Sequence, residues 1–244
     1  MTADRALKRA IRERSARTGE KYTEARRSIV DGAPEETAAS TELGRQLDRL
    51  VERGYPSLAG FSEGEFRSLA EPLVPAAEAI GWEEPDAELG PISFVLVPGR
   101  ELVDSHASVR VLERRGRGPA WMIEADELAR FVPIDAVRAP DAAMYLITAA
   151  EVGADLKNVT PNDALASIDA RGRSPLTVEE GIALATQFPE TVKQNGGWSL
   201  AGSRAGDKRV TALWISKGAP KFGWCWAGNP HTWLGTASCA ARSA

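Results

Sequence analysis

Apolar residues recur at helical spacing through the first thirty positions. Leu7, Ala10 and Ile11 fall on one face of a segment covering 3–18, with arginines on the other faces. Thr18-Gly19 marks its end, since glycine accepts the left-handed turn there. Tyr22, Ala25, Arg26 and Ile29 line a second segment at 21–30. Together they predict a helical hairpin whose apolar stripe is too thin to stand alone. Asp31-Gly32-Ala33-Pro34 then breaks the periodicity.

Further on, Leu43, Leu47, Leu50 and Val51 share a helical face that Gly54 closes. Ser62-Glu63-Gly64-Glu65 is a capping box, with Phe61 and Phe66 at the positions of a hydrophobic staple, and Pro72 limits the helix. Ile92–Val97 and Met144–Thr148 predict buried strands, and Glu124–Phe131 a short helix between them. The stretch 102–121 has no clear period around its basic turn at Arg114–Gly118. Thr160-Pro161 starts a helix that turns Leu165 and Ile168 inward and ends at Gly172. Thr177–Glu180 is a second capping box, opening a helix that stops before Pro189. Val210–Ile215 and Lys221–Trp226 flank Lys217-Gly218-Ala219-Pro220 and predict a β-hairpin. This order favours α+β over a regular βαβ alternation. The expected organisation is a short basic helical arm (1–32), a linker (33–41), and one compact domain (42–244) of helices packed on small mixed sheets with a C-terminal β-hairpin.

Composition adds bounds. The chain has 244 residues, 43% hydrophobic and 26% charged, enough to bury a core without disulfide or metal. No apolar run approaches the ~20 residues of a membrane span, and the first ten residues lack a signal-peptide pattern. A cytoplasmic protein with no membrane partner is expected. Cys225 and Cys239, the two cysteines, suit a reducing compartment and read as thiols, although a disulfide between them stays open. Charge is uneven. Residues 1–30 carry nine Lys and Arg against four acids, and 31–90 carry fourteen acids against four arginines. Separate segments with separate tasks are implied.

From about Glu42 onward the chain resembles a bacterial domain-of-unknown-function family, number 5701. The residues that carry the likeness include Gly54-Tyr55-Pro56-Ser57-Leu58-Ala59-Gly60, Phe131-Val132-Pro133-Ile134-Asp135, Asn158-Val159-Thr160-Pro161 and Pro175-Leu176-Thr177-Val178-Glu179-Glu180-Gly181. They continue with Ala212-Leu213-Trp214-Ile215-Ser216, Gly223-Trp224-Cys225-Trp226-Ala227-Gly228 and Pro230-His231-Thr232-Trp233-Leu234-Gly235. The resemblance implies no activity, cofactor or catalytic residue. The arm lies outside it. Its run Arg17–Arg27 is similar to a short segment at the start of unrelated bacterial proteins, which implies a portable module.

Candidate chemistry is sparse. Cys225, His231 and Cys239 have ligand-type side chains, but their spacing lacks the close pairs of a structural zinc site, so neither metal nor cofactor is expected. Cys225 with His231 as its base is a candidate catalytic pair; packing between Trp224 and Trp226 is the plainer role for the thiol. His106, in Asp104-Ser105-His106, reads as a helix cap, and Arg115-Gly116-Arg117-Gly118-Pro119 as an exposed basic loop. Glu179-Glu180 complements a helix dipole. Five of the seven tryptophans follow residue 197, where they either close a small core or stack a ligand. The leading functional reading is a binding or regulatory protein, not an enzyme. Its arm would contact nucleic acid, the ribosome or an acidic partner through Arg12, Arg17, Arg26 and Arg27. The alternatives are a small enzyme using Cys225 and His231, and an arm that packs in cis or mediates dimerisation. The oligomeric state stays open.

Overall fold

The computed structural model describes residues 3–30, 37–85 and 90–244. These fall into two compact units, one within 1–37 and one comprising 38–244. The fold of the larger unit is α+β.

In the first unit, helices Ala3–Thr18 and Tyr22–Val30 form an antiparallel hairpin about Gly19, which adopts a positive φ. Ile11 and Ala25 are buried. Side-chain hydrogen bonds fix the turn. Thr18 Oγ1 donates to the Arg14 carbonyl at 3.0 Å, Ser15 Oγ donates to the Glu20 carbonyl at 2.6 Å, and Arg14 grips the Glu20 carboxylate through two nitrogens at 2.9 and 3.1 Å. The helix that opens the second unit begins at Ala38, so positions 38–41 of the expected linker are helical. Positions 33–36 lie outside the described residues.

The larger unit is layered. Strands Ile92–Pro98, Met144–Ala150 and Ala241–Ser243 make an antiparallel three-stranded sheet with Met144–Ala150 in the middle. Its alternation serves two cores. Phe94, Leu96, Met144 and Leu146 point to one side, against Leu43, Leu47, Leu50, Tyr55 and Phe66 of the preceding helices. Val95, Val97, Tyr145 and Ile147 point to the other, against the helix Val178–Gln187. All ten residues of that helix are buried, because its far side meets a second sheet. This sheet has five strands in the order Leu234–Thr236, Gly197–Leu200, Arg209–Ser216, Ala219–Trp226 and Trp121–Met122. Trp198, Leu200, Leu213, Ile215 and Phe222 form its inner face. Its outer face carries Ser199, Ala212, Trp214, Lys221, Gly223 and Thr236, by the strand register.

Both capping boxes form, at Ser62–Glu65 and Thr177–Glu180. The staple expected beside the first does not share in the core: Phe66 is fully buried, whereas Phe61 stays 40% exposed. The hairpin strands are joined by two residues only, Lys217 and Gly218, both at positive φ, so that Trp214 faces Lys221 and Ala212 faces Gly223. Among the described residues, no helix is long and apolar enough to cross a membrane.

Candidate functional site

The arm presents its charge selectively. Arg12, Arg17 and Arg26 are exposed, while the Arg27 side chain lies outside the described residues. Arg14 is spent inside the fold, 8% exposed and clamped on Glu20. Its guanidinium, chiefly through their hydrogen bond, holds the Glu20 carboxyl below its usual range. Arg9 pairs along the helix with Glu13 at 3.5 Å, a contact whose two side chains are largely exposed. An exposed pair of this kind contributes little to stability.

Cys225 lies on the hairpin strand opposite Val210, half-buried against the cluster of Ala201, Val210 and Ala227. Burial pushes its thiol up to about 11, outweighing the opposite pull of the nearby Arg204 guanidinium. The side chain is therefore a neutral thiol near pH 7, poorly suited to nucleophilic attack. The ring of His231 is 5.3 Å from that of Trp233, the His231 carbonyl accepts from the Asn158 and Leu234 amides, and its Nε2 is buried without a hydrogen-bond partner. No hydrogen bond joins Cys225 to His231 among the described residues. Cys239 is fully buried on another strand, its thiol raised to about 12 first by burial and then by the charge of Glu180. Both cysteines are free thiols. Among the described residues, no three His, Cys, Asp or Glu side chains converge as metal ligands.

His106 sits in a short helix capped by Asp104, whose carboxylate accepts from the Ala107 amide at 2.9 Å. Glu180 does more than the capping expected of it. One carboxylate receives the Thr177 amide at 2.9 Å, the Tyr145 hydroxyl at 3.1 Å, and two Arg242 nitrogens at 2.5 and 2.8 Å. Neighbouring Glu179 accepts from Ser105 Oγ at 3.0 Å and borders a cavity of about 230 Å³ with Arg100, Asp141 and Tyr145. Burial, with the charges of Glu180 and Glu179, raises the Tyr145 hydroxyl above its ordinary value, so it serves as a donor and not as a base. The sequence held no sign that Arg242 would return to Glu180, because its strand pairs with a segment almost a hundred residues earlier.

A larger cavity, about 530 Å³, is lined by Glu151, Asp155, Lys157 and Lys193 among glycines. Its carboxylates are engaged by Arg173 and Arg171 at 2.9 and 2.6 Å. The described residues thus define an α+β domain preceded by a helical hairpin, with no hydrogen bond between Cys225 and His231. The chain belongs to a family of unknown function (DUF5701), whose model matches residues 49–244 and so leaves the arm outside. Neither a curated protein nor a solved structure matches the chain.

Proposed function

We propose that the protein is a binding protein, not an enzyme, and that its basic arm engages nucleic acid. Its support is a contrast within the hairpin: Arg14, which holds the turn, is buried, while Arg12, Arg17 and Arg26 are left exposed on the same small unit. Cations held out from a preformed helical scaffold neutralise phosphates and release counterions, which drives binding that does not depend on base sequence. The neutral Cys225 thiol, which has no hydrogen bond to His231, supports the same choice against a thiol enzyme.

The test is the full chain carrying Arg12→Glu, Arg17→Glu and Arg26→Glu together, compared with wild type by filter retention of labelled RNA and DNA at low salt. Weaker retention with an unchanged thermal melt is expected. Retention at the wild-type level contradicts the proposal. A change in sedimentation without any change in retention assigns the arm to dimerisation instead.

A further inference from the structure

Two features that look unrelated in the sequence meet on the larger unit. The basic turn at Arg114–Arg117 closes on itself, Arg114 and Arg117 exchanging backbone hydrogen bonds at 2.9 and 3.0 Å around Arg115 and Gly116. The β-hairpin ends in the equally tight Lys217-Gly218 turn. The two tips touch: Arg117 Nη1 donates to the Lys217 carbonyl at 3.3 Å, and a side chain at position 218 would meet that guanidinium nitrogen at 2.8 Å. Arg115 and Lys217 both adopt positive φ, a conformation for which Asn or Asp is the usual choice before Gly in such turns. Arginine and lysine are used there instead, and both side chains are exposed.

An aromatic row starts beside these cations. Trp121, 46% exposed, enters the sheet next to Lys221, whose ammonium lies 4.8 Å from the Trp121 ring and 5.3 Å from that of Trp214. Both indoles reach over Gly223, where an added Cβ would stand 2.5 Å from Trp214 and 2.9 Å from Trp121. Trp233 follows at 5.9 Å from Trp214, and the His231 ring ends the row at 5.3 Å from Trp233. Among the described residues, none of Arg115, Arg117, Lys217 and Lys221 makes an ion pair with an acid. Packing does not require three cations at one end of an aromatic row and a fourth between its first two rings.

We infer that this face is a binding surface for single-stranded RNA. Trp121 is exposed and Trp214, Trp233 and His231 are half-buried, so the row offers ring surface on which bases stack whatever their sequence, and the cations beside it meet the phosphates between them. A cationic ligand would be repelled by Lys221, and a neutral sugar gives no role to the paired basic tips. A duplex hides its bases from the rings. RNA is the nucleic acid whose unpaired segments are ordinarily presented for such stacking. The surface belongs to the larger unit and stands whether or not the arm binds.

The experiment uses the full chain and fluorescein-labelled U12, read by anisotropy at low salt. Trp121→Ala, at an exposed position, should weaken binding about tenfold, the scale of one lost stacking contact. Arg117→Glu with Lys217→Glu should weaken it further and flatten the salt dependence. An abasic 12-mer keeps the phosphates but offers nothing to stack, so wild type should bind it at least tenfold more weakly than U12. This comparison needs no variant to fold. Equal binding of U12 and the abasic chain overturns the inference, as does equal binding of a 12-base-pair duplex or tighter binding of dT12. If the arm triple variant abolishes U12 binding while Trp121→Ala has no effect, the arm reading survives and this one fails. The converse pattern separates them the other way.

Discussion

At the scale of single residues, exposure separates tryptophans that hold the fold from those free to make contacts. Trp198 is fully buried and donates its indole N–H to the Thr191 carbonyl at 3.2 Å. Trp198→Ala should cost about 3–5 kcal/mol in urea denaturation, as large buried truncations do. Trp121→Ala should change stability by less than about 0.5 kcal/mol. The sequence places five tryptophans in the last fifty residues but does not tell these roles apart, because burial depends on which sheet face each occupies. The two-residue turn at Lys217-Gly218 was the available signal, since it fixes Trp214 opposite Lys221. Cys225 offers a pH test. Its folded-state pKa of about 11 lies above that of the unfolded chain, so the folded form holds its proton more tightly. The contribution to stability is complete below the unfolded thiol value of about 8.5 and is lost as pH rises through 11. Alkylation of native protein by iodoacetamide should accordingly be slow at pH 7.5 and quicken above pH 10, and Cys225→Ser should flatten the alkaline fall in stability. Rapid labelling at pH 7.5 would return Cys225 to consideration as a nucleophile.

At the scale of elements, the signals that were legible are local ones. The capping boxes, the strands at Ile92 and Met144 and the hairpin are each written within a few neighbouring residues. What stayed hidden depends on distant partners. The helix Val74–Ile80 is masked by Pro72, which reads as a stop; Pro72 and Pro75 occupy the first turns of short helices, where a missing N–H costs nothing. Gln46 looks like a polar interruption of the Leu43–Leu47–Leu50 face. Its amide instead stands in for a missing strand, donating to the Phe94 carbonyl at 3.1 Å and accepting the Leu96 amide at 2.7 Å. Gln46→Leu leaves both groups unpaired on a buried edge and should cost about 1–3 kcal/mol for each, measurable by thermal melting. The last strand is held by a buried ion pair, Arg242 with Glu180, the latter with no side-chain exposure. Arg242→Met strands that carboxylate and should cost about 3–5 kcal/mol. Adding Glu180→Gln, which removes the buried charge but keeps an acceptor oxygen for only one of Thr177 and Tyr145, should recover part of this loss. Strictly additive losses would show that the pair is not coupled.

At the scale of the whole molecule, opposite charge excesses lie in neighbouring stretches of chain, positive in 1–30 and negative in 31–90. The arm's composition was legible, as was its hairpin, but the sequence could not show which arginines the fold consumes. Arg14 is withdrawn by Glu20 because the turn at Gly19 brings residues six apart face to face. The most direct measurement of the account is the salt dependence of RNA binding by the full chain, with and without Arg12→Glu, Arg17→Glu and Arg26→Glu. The logarithm of the association constant for single-stranded RNA should fall linearly with the logarithm of salt concentration, with a slope of about 0.7 for each phosphate neutralised. Reversing three arm charges should reduce that slope by about 2. A wild-type protein whose binding is weak and insensitive to salt, or a triple variant with the wild-type slope, would contradict the account.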